Sequence, residues 1–223
     1  MKKILLTTVI LAAFTVSLFA QADANKTEIG QSSEDLTALQ VANDLARYGY
    51  SVESSSALIG AAEIYSQVRT QPLGVQPERS QGALATPAAR EFDPAALLRD
   101  ARRFAGSDTT MLTWASEVER ALNTQTRGAV GGPKYDWDVI RGREEITYRI
   151  DFRANQIAEA VVLGDGSTYL DIYVYDRNWN LVVYTDVYTS GARALWVPSY
   201  TGVYHVRIVN WGTRNNLYEF FTN

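Results

Sequence analysis

The chain has 223 residues, of which 46% are hydrophobic, and a formal net charge of −4, so it is long enough for one or two domains with their own cores. The acidic balance disfavours a general phosphate-backbone partner, and nucleic acid is not expected. Cysteine is absent and histidine occurs once, which excludes disulfides and a typical zinc site.

Lys2 and Lys3 precede an almost uncharged apolar run from Ile4 to Phe19, and Ala22-Asp23-Ala24 supplies a small-residue cleavage pattern, with Ala20 as the alternative. This is the pattern of a secretory signal, and the run is shorter than the roughly 20 residues a membrane span prefers. Residues 1–24 are therefore expected to be removed, leaving a periplasmic or secreted protein. No later segment is apolar enough to span a membrane, and no cysteine is present to carry a lipid.

Residues 25–123 read as a helical domain of two hairpins. Leu36, Leu39, Val41, Leu45 and Tyr48 form a stripe expected to stop at Gly49, and Leu58, Ala61, Ala62, Tyr65 and Val68 follow at helical spacing. Asp93-Pro94 predicts a capped start for a third helix along Leu97, Leu98, Ala101 and Phe104. Asp108 predicts the cap of a fourth, along Met111, Leu112, Ala115, Val118 and Leu122. Between the pairs, residues 70–90 hold Pro72, Pro77, Pro87, Gly74 and Gly82 and are expected to be a flexible surface segment.

Residues 124–134 have linker composition, rich in Thr and Gly and ending near Pro133. Beyond Pro133 lie ten of the 13 tyrosines and four of the five tryptophans, an enrichment that favours strands. Residues 135–223 accordingly alternate with period two. Tyr148, Ile150 and Phe152 share one face; so do Leu170, Ile172 and Val174, and then Tyr204, Val206 and Ile208. One buried and one wet face per strand predicts antiparallel sheets in a sandwich or barrel. The fold class is thus α+β and multi-domain, helical hairpins followed by an all-β unit.

Leu170-Asp171-Ile172-Tyr173-Val174-Tyr175-Asp176, the turn containing Asn178, Leu181-Val182-Val183, Trp196-Val197-Pro198 and the run from Thr201 to Asn210 stand in order. Together they resemble the bacterial pre-peptidase C-terminal domain over roughly residues 144–221. The resemblance implies a jelly-roll-like antiparallel sandwich, usually non-catalytic and attached to exported proteins; relatives in secreted collagenases bind matrix polymers, and some bind calcium. Two departures stand out. No peptidase domain accompanies the tail, and Ser167 and Tyr169 occupy positions around a turn where related tails often carry acidic residues.

Catalytic chemistry finds little support in the residues. His205 lies mid-strand, and no serine sits in a G-x-S-x-G setting. Asp165, Asp171 and Asp176 are the carboxylates that a calcium ion would use, since hard oxygen ligands suit it. Otherwise no cofactor is expected. The surplus of aromatic residues is the stronger signal: Tyr173, Tyr175, Trp179, Tyr184 and Trp211 are the ligand-binding candidates, with Tyr188 and Tyr200 beside them. The reading that follows is an exported, non-enzymatic binding protein. Its sandwich engages a protein or an envelope or extracellular polymer, and its helices make protein contacts. The alternatives are a carboxylate-dependent hydrolase using Asp171 and Asp186, or a calcium-stabilised structural module.

Overall fold

The computed structural model describes residues 34–82, 93–124, 132–185 and 191–223. The expected signal segment lies outside them, as do residues 83–92, 125–131 and 186–190, and with these Asp186 and Tyr188. Among the described residues there are four helices, α1 over residues 34–51, α2 (Ser55–Gln67), α3 (Pro94–Ala105) and α4 (Thr109–Thr124), with two short strands between α2 and α3. The predicted caps are in place. Asp93 accepts from the Ala96 amide at 3.0 Å, and Asp108 Oδ1 accepts from the Thr110 and Met111 amides at 2.9 and 3.2 Å.

In α1 the buried stripe is Leu36, Leu39, Ala42, Asn43 and Ala46, continuing to Gly49. Val41 and Tyr48, expected on that stripe, are exposed instead. Gly49 does not end the helix. It sits inside α1 against α2, and a Cβ there would lie 2.6 Å from Leu58 Cδ2. The stripe follows whichever residues let the two helices approach, and a small residue does this better than a large apolar one.

Among the described residues, ten strands form two five-stranded sheets. Sheet I has the order β1-β3-β10-β5-β8, from β1 (Gln71–Pro72), β3 (Lys134–Ile140), β10 (Asn216–Thr222), β5 (Ala158–Gly164) and β8 (Gly191–Trp196). Sheet II has the order β2-β4-β9-β6-β7, from β2 (Glu78–Arg79), β4 (Glu145–Phe152), β9 (Gly202–Asn210), β6 (Leu170–Tyr175) and β7 (Leu181–Tyr184). All pairings are antiparallel except β1 with β3. Tyr148, Ile150, Phe152, Leu170, Ile172, Val174, Tyr204, Val206 and Ile208 all point into the core between the sheets, as their alternation predicted.

Sheet I departs from the one-wet-face expectation. Every residue of β5 is buried, and Val161, Leu163 and Phe221 belong to the same apolar cluster as the buried faces of the helices. Tyr65 on α2 donates to Glu219 Oε2 on β10 at 2.7 Å, a buried contact across that junction. The layers therefore run helices, sheet I, sheet II, and much of the helices' apolar surface is covered within the chain.

Residues 71–79 also depart from expectation. Instead of a loose surface connection they supply β1 at the edge of one sheet and β2 at the edge of the other, with Leu73 and Val75 packed on the sandwich core between them. Arg79 anchors this crossing. Its Nε and Nη2 donate to Glu144 Oε1 and Oε2 at 3.1 and 2.9 Å, its Nη1 donates to Asp138 Oδ2 at 2.9 Å, and Nη2 also donates to the Val139 carbonyl. Glu144 is fully buried and accepts from Arg141 as well. Burial alone would raise the carboxyl, but the hydrogen bonds from Arg141 and Arg79 hold it down from its ordinary 4.5 to about 2.

Two outcomes are expected from these contacts. Replacing Arg79 by Met removes one of the two arginines paired with a buried carboxylate and should lower unfolding stability by about 3–5 kcal/mol in a urea titration. Because the folded carboxyl titrates below the unfolded one, the Glu144 contribution is present above about pH 4.5 and is lost as pH falls toward 2. The acid-side loss should be visibly smaller in Glu144→Gln. Separately, Gly49→Val should cost about 1–3 kcal/mol by forcing α1 away from Leu58, read as a lower thermal midpoint.

Candidate functional site

On the outer face of sheet II, outside both hydrophobic cores, the strand register lines up one residue set across four strands. Thr147, Arg207, Tyr173 and Tyr184 form one cross-strand row; Arg149, His205, Tyr175 and Leu181 form the next. Side chains on one face at adjacent register positions are within reach of one another, so the rows make a continuous surface. Tyr173 and Tyr184 stack at 5.8 Å with ring planes 10° apart. The Arg207 guanidinium lies 5.0 Å from the Tyr175 ring centroid and 5.5 Å from that of Trp179, close enough for cation–π attraction. Arg207 also pairs with Glu145 at 3.3 Å, and its Nε finds no hydrogen-bond partner among the described residues.

Trp179 is positioned by its turn. Asp176 accepts from the Asn178 and Asn180 amides and from Asn180 Nδ2, and the Trp179 amide donates back to the Asp176 carbonyl. These bonds, the one to Asn180 first, hold the Asp176 carboxyl below its ordinary range. The closed turn keeps Trp179 in the left-handed region at φ 63°, which a bulky side chain seldom adopts. From there the indole folds back over the sheet and stacks on His205 at 4.1 Å. Burial, then the neighbouring Arg149 cation, pushes the His205 imidazole below its ordinary 6.5.

The five aromatic candidates thus meet different fates. Tyr173, Tyr175, Trp179 and Tyr184 come together as one strip, with Trp179 49% and Tyr184 54% exposed. Trp211 stands at the end of the same face, just past β9, with its Nε1 donating to Asp171 Oδ2 at 2.7 Å. Tyr200 is not part of the strip. Its hydroxyl donates to the Val203 carbonyl and its ring stacks on Tyr204. Arg207 and His205, which knit the strip together, were not among the candidates. The signal was available, since both alternate with Val206, but only the pairing of β9 between β4 and β6 places them beneath the rings.

The carboxylates do not converge. Asp165 accepts from the Ser167 and Leu217 amides, Asp171 from Trp211, and Asp176 from its own turn. Among the described residues no group of three or more His, Cys, Asp or Glu side chains gathers where a metal ion would be held. Each of the three aspartates holds a turn or a neighbouring strand residue in place. Asp186, the partner of Asp171 in the alternative hydrolytic reading, lies outside the described residues.

No family model matches the chain, and no curated protein matches it. Solved structures do. The periplasmic inhibitor of g-type lysozyme from Aeromonas hydrophila, PliG, is 11% identical, covering 41% of this chain and 84% of that one with a TM-score of 0.33. The pre-peptidase C-terminal domain of collagenase from Bacillus anthracis is 12% identical over 40% and 88%, again at 0.33. A carbohydrate-binding module of Cellvibrio mixtus lichenase 5A, solved with cellotriose, is 11% identical over 45% and 81%, at 0.27. No helix among the described residues is long and apolar enough to cross a membrane.

The Trp179–His205 stack supplies its own reporter. A protonated imidazole quenches an indole lying on it, so tryptophan emission should fall along a titration with its midpoint below 6.5. The His205→Gln protein should lack that transition while keeping the emission of the other tryptophans.

Proposed function

We propose that this is an exported, non-enzymatic binding protein whose pre-peptidase C-terminal-like sandwich engages a protein or an envelope or extracellular polymer through the outer face of sheet II. One observation carries the reading: Tyr173, Tyr175, Trp179 and Tyr184 lie as a connected strip braced by Arg207 and His205, with Trp179 and Tyr184 exposed and the other two rings partly buried. Large rings on a rigid sheet give extensive contact while losing little side-chain freedom on binding. The left-handed Trp179 fits the same reading, because an unfavourable backbone conformation held in place by a turn commonly serves a ligand. A row of rings running across adjacent strands suits an extended partner, a polymer strand or a protein surface, better than a small molecule. The role of the helices in this reading is to cover sheet I, which directs the partner to the opposite side of the molecule.

The test is affinity capture from envelope extract together with co-sedimentation on peptidoglycan, chitin and gelatin. Wild-type protein should be retained on at least one of these. Tyr173→Ala and Trp179→Ala should each weaken retention by about tenfold or more with little change in melting temperature. Retention that survives both substitutions would remove the strip from the binding surface.

A further inference from the structure

A second candidate site lies on a different part of the molecule. A cleft of about 790 Å³ separates α1 from the β5–β6 and β9–β10 turns, within the roughly 300–1,000 Å³ span of small-ligand sites. Its walls carry Asn43 and Arg47 from α1, Ser167 and Tyr169 from the first turn, and Trp211 and Arg214 from the second.

The two arginines converge. Arg47 lies across Gly166, where a Cβ would stand 2.5 Å from its Nη2, so the glycine at φ +90° is what admits the guanidinium. Arg214 Nη2 donates to the carbonyl of the next residue, Ser167, at 3.2 Å. Asp44 is the one acidic residue on the walls, highly exposed and 3.9 Å from Arg47, so the cleft is locally cationic on a chain whose net charge is −4.

The floor is held in shape before any ligand arrives. Asn210 is fully buried, and its Nδ2 donates to the carbonyls of Ile140, Arg141 and Arg214 while its Oδ1 accepts from the Gly212 amide. Asn216, also fully buried, ties the other turn, donating to Thr168 and accepting from the Asp165 amide. Ser167 Oγ donates to the Asn215 carbonyl and joins the two turns. Against this rigid floor, Asn43 is 2% exposed and its Nδ2 finds no hydrogen-bond partner among the described residues. Buried amide donors are nearly always paired, so an unpaired one on a cleft wall points to a ligand acceptor.

We infer that this cleft binds an acidic sugar, a hexuronate unit of an oligosaccharide. Guanidinium groups recognise a carboxylate through paired charge-assisted hydrogen bonds, the half-exposed Trp211 and Tyr169 offer flat faces for a pyranose ring, and the Asn43 amide donates to a ring hydroxyl. The inference stands apart from the sheet II strip, although Trp211 borders both.

Isothermal titration calorimetry on the full chain tests it with trigalacturonate, its methyl ester and inorganic phosphate. Trigalacturonate should bind with saturable heat, and the ester, which keeps the shape but not the charge, about tenfold or more weakly. Arg47→Gln and Arg214→Gln should each weaken trigalacturonate by about tenfold, and Thr213→Glu, an exposed change on the same wall that leaves both arginines in place, should do likewise. Tyr173→Ala should leave this binding unchanged while weakening capture on the strip, so either reading can fail alone. The inference is overturned by absence of saturable heat, by equal affinity for acid and ester, by phosphate binding as tightly as the sugar, or by indifference to both arginine substitutions.

Discussion

The central strands of sheet I, β5 and β10, are buried on both sides, and the disposition of the other surfaces follows from that. Their inner face, through residues such as Val162, Tyr218 and Phe220, closes the sandwich core; their outer face, through Val161, Leu163 and Phe221, closes the helical core. A strand such as β5, apolar at nearly every position, would expose a hydrophobic row if either layer were missing. The helices and the sandwich therefore stabilise one another. Burial of this apolar surface is the main favourable term holding the layers together, at roughly 25 cal/mol per Å² removed from water.

The second constraint is ionic. Arg79 brings three acceptors together at the sandwich edge, and without it the crossing segment would have short strands and two prolines to hold it. Buried charge is costly unless it is fully paired, and here the pairing is dense: Glu144 meets two arginines and a backbone amide. That density explains why so short a segment bridges both sheets. It also keeps β2 on the edge of sheet II, beside the strand that carries Arg149.

With one sheet covered, the outer aromatics of sheet II are left outside both cores, and their arrangement is governed by register. Arg207 stands opposite Tyr173, and His205 opposite Tyr175, because β9 runs antiparallel to β6 from Leu170 facing Asn210. A slip of one residue would bury these groups and expose the core set. The buried asparagines at the far end do a comparable job for the cleft, fixing the turns that present Trp211 and Arg214.

The sequence by itself determined the helix caps at Asp93 and Asp108, the strand alternation around Tyr148, Leu170 and Tyr204, and the concentration of aromatics on the β half. These are local properties: a cap or a period of two is decided within a few residues. Tertiary structure alone decided that Gly49 is a helix contact and not a stop, that residues 71–79 belong to both sheets, that Val41 and Tyr48 face outward, and that the three aspartates do not meet. It also decided which aromatic face stays outside the cores, because the choice between two amphipathic sheets rests on which one the helices cover. Such outcomes depend on contacts between residues far apart in the chain, such as Tyr65 with Glu219 and Arg79 with Glu144, and no short window of sequence contains both partners.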